Sequence, residues 1–151
     1  MNKILVYGYG NPGRQDDGLG IFLIEKIEKW KQQHNIENVF TDSNYQLNIE
    51  DAYNLNSYHT VIFADASKED IESYRFTTLE SSFKPEFTMH AVSPAFVLGI
   101  CKNMYGTCPG AFLLHIKGYQ WEFMQQPTSR AQNNLEEAYS FLVQKIIKLI
   151  G

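Results

Sequence analysis

Cysteine is scarce in this chain: its 151 residues hold two, Cys101 and Cys108. Two thiols cannot supply the four ligands of a structural zinc site or the several bridges of a disulfide scaffold. Cys101 also falls inside an apolar helical pattern, so both are read as free thiols. A basic excess is lacking as well. Thirteen Lys and Arg against seventeen Asp and Glu leave a net charge of −4, with no surplus to neutralise phosphates, which argues against a nucleic acid partner. No apolar run approaches the roughly 20 residues of a membrane-spanning helix, so no membrane is expected. The N-terminus shows no apolar stretch followed by a small-residue cleavage site, and the expected location is the cytoplasm. Gly-x-Ser-x-Gly, the nucleophile turn of one large hydrolase class, is absent.

What is present is an ordinary globular composition, 44% apolar and 20% charged, enough for one core at this length. Lys3-Ile4-Leu5-Val6-Tyr7, closed by glycine, has the pattern of a buried strand. Leu19, Phe22, Leu23, Ile27 and Trp30 recur at helical spacing, which starts a helix near Asp17. Asn38 to Thr41 predicts a second strand ending at Asp42, and Ile49 to Leu55 a short helix. Thr60-Val61-Ile62-Phe63-Ala64 predicts a strongly apolar third strand ending at Asp65. Tyr74 to Leu79 fits an edge or antiparallel strand, and Ala111 to Lys117 a further one. Ser93-Pro94 opens a helix with proline at its first position. The last helix is expected from Ser129, with Gln132 completing a capping box. Such alternation implies one three-layer α/β domain over residues 1–151, a mostly parallel twisted sheet with helices on both faces.

Between the first strand and helix lies Gly8-Tyr9-Gly10-Asn11-Pro12-Gly13-Arg14-Gln15-Asp16-Asp17-Gly18. Gly8-x-Gly10-x-x-Gly13 matches the fingerprint that cradles a pyrophosphate on backbone N–H groups, the mark of a nucleotide-binding oxidoreductase. Pro12 removes one of those donors. Asp16 and Asp17 bring negative charge to the phosphate position, where two unit charges ~4 Å apart repel by roughly 4 kcal/mol at a dielectric of about 20. One of the pair is expected to cap the helix, and the other to face a cleft.

In a parallel sheet the C-terminal ends of the strands share one edge, so Asp17 and Asp65 can converge there. His90, just before the helix opened by Ser93-Pro94, can reach the same edge. Two carboxylates and an imidazole suit an open site for a divalent transition-metal ion. His34, His59 and His115 read instead as solvent-facing or hydrogen-bonded.

Taken in order, these blocks resemble the hydrogenase maturation proteases. The resemblance runs from Ile4-Leu5-Val6-Tyr7-Gly8-Tyr9-Gly10-Asn11-Pro12 and Asp16-Asp17-Gly18-Leu19-Gly20 through Val61-Ile62-Phe63-Ala64-Asp65-Ala66. It continues with His90-Ala91-Val92-Ser93-Pro94, Gly118-Tyr119 and Ser129-Arg130-Ala131. It implies an endopeptidase that removes the C-terminal tail of a nickel–iron hydrogenase large-subunit precursor once nickel is installed. By the same resemblance Asp17, Asp65 and His90 are the metal-binding and catalytic positions, and Asp16 is left as the cap. The nickel is carried by the substrate, and no organic cofactor is implied. Ser43-Asn44-Tyr45-Gln46-Leu47 stands where many members have a glycine-rich stretch, which implies a part in substrate choice. The same residues would also serve a maturation chaperone that senses nickel without cutting.

Overall fold

The computed structural model describes residues 2–82, 87–88 and 91–151, with backbone alone at 87, 88 and 91. Five strands form the main sheet: β1 (Ile4–Tyr9), β2 (Val39–Asn44), β3 (Thr60–Ser67), β4 (Tyr74–Leu79) and, after the small pair β5 (Phe87–Thr88) and β6 (Ala91–Val92), β7 (Gly110–Lys117). Their order is β2-β1-β3-β7-β4, parallel except for β4, which runs antiparallel along β7. Among the described residues four α-helices cover it: α1 (Leu19–Gln33), α2 (Ala52–Leu55), α3 (Pro94–Tyr105) and α4 (Ser129–Ile150).

Strand periodicity explains the three layers. Ile4 and Val6 of β1, with Ile62 and Ala64 of β3, share a core with Leu23 and Ile27 of α1 and Leu135 and Leu142 of α4. Leu5 and Tyr7, with Val61 and Phe63, point the other way, to Leu55 of α2 and Val97 and Leu98 of α3. A central strand buried on both faces needs apolar residues at every position, which is why β1 and β3 read as continuous runs.

From β1 the chain crosses to β2 on one side and then to β3 on the other. The connections therefore diverge between β1 and β3, the switch point at which open α/β sheets leave a crevice beyond their carboxyl ends.

Several boundaries differ from the sequence reading. β3 runs on through Asp65 to Ser67 because β7 stays alongside it, pairing Asp65 with His115 and Ser67 with Lys117. β2 likewise continues through Asp42 to Asn44. The helix expected near Asp17 is a 3₁₀ turn over Gln15–Gly18 followed by α1 from Leu19. In place of one short helix from Ile49 there is a 3₁₀ turn, Ile49–Asp51, and then α2. Ser129 is the first residue of α4, and the cap is Thr128, whose hydroxyl accepts from the Ala131 N–H.

Candidate active site

The turn after β1 is organised around one carboxylate. Gly10 has φ of +136°, and a Cβ there would stand 2.1 Å from the carbonyl oxygen of Asp17. Only glycine lets the 3₁₀ turn fold back this closely. Asp17 Oδ2 then accepts the Asn11 N–H at 3.0 Å. The Gly10 N–H donates to the Asn44 carbonyl, the Gly13 N–H to Asn11 Oδ1, and the Arg14 N–H to the Asn11 carbonyl. Pro12 has none to give. The donors that would cradle a pyrophosphate are thus taken up by the protein itself, with an aspartate in the anion's place. The nucleotide-binding reading fails on this geometry.

Asp65 lies across the switch point from that turn. Gly8 pairs with Ala64, so Asp65 sits one residue further on, where β1 is about to end. Its Oδ1 accepts the Ala66 N–H at 2.8 Å and lies 3.7 Å from the Cβ position of Gly10. Burial pushes the Asp65 carboxyl well above the usual carboxylate range, the Asp17 charge pushes it further, and the Ala66 N–H opposes both. Tyr9, level with Asp65 on β1, has its phenol raised by burial and then by the Asp65 and Tyr7 groups.

Among the described residues, Asp17 Oδ1 and Asp65 Oδ2 have no hydrogen-bond partner, and no unpaired side-chain oxygen is sealed from solvent. Two free carboxylate oxygens at one crevice form a hard donor set for a divalent cation. They also form a pair able to divide the labour of proton donor and acceptor.

Asp16 does something other than expected. It makes no capping bond to its own helix. It is fully buried, and its Oδ2 accepts from the Tyr119 N–H, the Gln120 N–H and the Thr128 hydroxyl at 2.8, 3.1 and 2.8 Å. Its Oδ1 accepts the Thr128 N–H at 2.7 Å. Gln15, held at φ of +52°, bonds Gln120 Oε1 through Nε2 and accepts the Glu122 N–H on Oε1. The Met124 N–H reaches the Gly13 carbonyl and Arg14 Nε the Trp121 carbonyl. The segment between β7 and α4 is thereby tied down onto the turn that holds Asp17. No local sequence signal marks this role, because the partners of Asp16 lie more than a hundred residues away.

His90 lies outside the described residues. Among those described, no cluster of three His, Cys, Asp or Glu side chains is assembled to hold a metal ion. His34 Nδ1 bonds the Trp30 carbonyl, and His59 Nδ1 accepts the Lys3 N–H. Cys101 and Cys108 are free thiols, and the buried Cys101 Sγ donates to the Thr107 carbonyl. No described helix is long and apolar enough to cross a membrane.

No protein-family model matches the sequence, and no curated protein is similar enough to be matched. Solved structures do match. The hydrogenase maturating endopeptidase HybD from E. coli aligns with a TM-score of 0.79 at 18% identity, over 97% of this chain and 93% of that one. The [NiFe] hydrogenase maturation protease HycI from Thermococcus kodakarensis KOD1 aligns at 0.72 and 15%, over 95% and 91%. The hydrogenase 2 maturation peptidase from Thaumarchaeota archaeon SCGC_AB-539-E09 aligns at 0.67 and 18%, over 96% and 98%. What is shared at such identities is the fold, and it extends over nearly the whole chain.

Proposed function

We propose that this protein is an endopeptidase that trims the C-terminal tail from a nickel–iron hydrogenase large-subunit precursor after nickel insertion. What supports the reading is the coupling of Asp17 and Asp65 at the switch point of a fold shared with hydrogenase maturation endopeptidases. Nickel enters with the precursor, as part of the substrate. Asp17 Oδ1 and Asp65 Oδ2 are the oxygens that would meet it, and His90 is the third ligand that the sequence resemblance supplies. Oxygen and imidazole donors suit a borderline divalent ion whose remaining ligands come from the substrate.

Hydrolysis of a peptide bond needs a proton removed from water and one delivered to the leaving amine. A carboxylate not engaged by the cation can do both in turn, taking a proton from the attacking water as general base and passing it to the leaving nitrogen. The cation, when bound with its peptide, would supply a Lewis acid for a nearby carbonyl.

The test is incubation of the protein with nickel-loaded and nickel-free precursor, followed by mass determination of the product. Loss of the tail from the loaded precursor alone supports the reading. A stable complex with no shortening would identify a nickel-sensing chaperone.

A further inference from the structure

Beside the Gly10 turn the surface opens into a groove of about 290 Å3 lined by Gly10, Pro12, Ile21, Ser43, Asn44 and Tyr45. Its size is at the lower limit of small-molecule sites, which begin at about 300 Å3. It suits a single side chain with its adjoining main chain and is too small for a nucleotide. None of the six lining residues carries a charge. A charged side chain placed here would find no opposite charge among these residues. Pro12, Ile21 and the 70% exposed Tyr45 provide the apolar walls.

Gly10 connects this groove to the candidate active site, since its Cβ position lies 3.7 Å from Asp65 Oδ1. The bond from the Gly10 N–H to the Asn44 carbonyl fixes the groove to the turn. β2 is the edge of the sheet, yet the N–H groups of Ser43 and Tyr45 are taken up by Asp42 Oδ1 and Asn44 Oδ1, each at 2.8 Å. The end of this edge is thus blunted against an added strand and presents a side-chain pocket instead.

We propose that the groove is a specificity subsite for an uncharged, apolar side chain of the precursor beside the peptide bond to be cut, with Ile21 and Tyr45 as its main contacts. The proposal rests on the peptidase reading and deepens it by naming the chemistry of the residue recognised.

The experiment is an NMR titration of the whole protein with blocked pentapeptides that differ only at a central Leu, Phe, Lys or Asp. The Leu and Phe peptides are expected to shift Ile21 and Tyr45 resonances. They should bind about tenfold more tightly than the other two, the order of effect of burying one such side chain. Ile21→Arg should erase the preference. Equal binding of all four, binding of none, or shifts that bypass Ile21 and Tyr45 would overturn the proposal. In precursor cleavage, Ile21→Arg and Tyr45→Ala should raise KM about tenfold with kcat nearly unchanged. If the wild type cuts no precursor but still prefers the Leu and Phe peptides, the peptidase reading fails and the groove stands. If the wild type cuts and both variants cut equally well, the subsite fails and the peptidase reading stands.

Discussion

Asp16 and Thr128, 112 residues apart in the chain, are joined by two hydrogen bonds, from the Thr128 N–H to Oδ1 and from its hydroxyl to Oδ2. The same hydroxyl oxygen accepts the Ala131 N–H and so caps α4. A buried carboxylate, a threonine and a helix start therefore stand in series. Through them the start of the last helix is registered against the turn that carries Asp17.

Asp16→Asn is accordingly expected to destabilise the protein, although asparagine is an excellent helix cap. The amide NH2 would have to face an N–H or hydroxyl that now donates to carboxylate oxygen. Lost charge-assisted bonds and one unsatisfied donor should cost roughly 2–4 kcal/mol. In a chain of this size that lowers Tm by about 5–15 °C. Thermal unfolding checks it, and an unchanged Tm would show that the clamp is dispensable.

Asp65→Asn should separate activity from stability. Cleavage of the nickel-loaded precursor should fall by about 10²–10⁴-fold, the usual contribution of a general acid or base. Because the folded-state pKa of Asp65 is raised, ionisation is costlier in the native state than in the unfolded chain. Native stability is therefore greatest below the ordinary carboxylate pKa and declines as pH rises toward the folded value. Asparagine keeps an acceptor for the Ala66 N–H and removes that penalty. The variant should melt above the wild type at pH 7, with the gap closing toward pH 4. A lower Tm at pH 7 would contradict it.

Crystals soaked in nickel or cadmium should show anomalous density beside Asp17 and Asp65. Asp17→Asn should abolish or greatly weaken it, since it replaces a charged ligand oxygen while leaving an acceptor for the Asn11 N–H. Density at His34 or Cys101 with none at this crevice would place the metal site elsewhere in the molecule.

His115 sets an acid limit on stability. Burial lowers its pKa, Arg75 lowers it further, and Glu69 opposes them. The unfolded chain thus binds this proton more readily than the folded protein does. Its share of stability is intact above the ordinary value of about 6.5 and is lost as pH falls through the folded one. Urea unfolding of wild type and His115→Gln at pH 7.5 and pH 5 should show a smaller loss in the variant. Parallel losses would rule His115 out as a contributor.

The local sequence determined the layers of this protein. Doubly apolar runs announce β1 and β3 as central strands, Ser93-Pro94 starts α3 as expected, and the Gly10 turn follows β1 directly. Each signal is complete within a few residues, because side-chain period and φ preference are properties of short segments. Tertiary structure alone decided what those segments meet. β3 carries Asp65 within it because β7 prolongs the ladder. Asp16 is a clamp because the segment from Tyr119 to Thr128 returns to it. The groove beside Tyr45 exists because β2 and the Gly10 turn come together, and the Asp65 carboxyl is pushed above the usual carboxylate range by the burial and the Asp17 charge around it. A buried polar group requires a partner, and any N–H or hydroxyl satisfies that need. Which one arrives is set by chain closure over a hundred residues, and no local pattern encodes it.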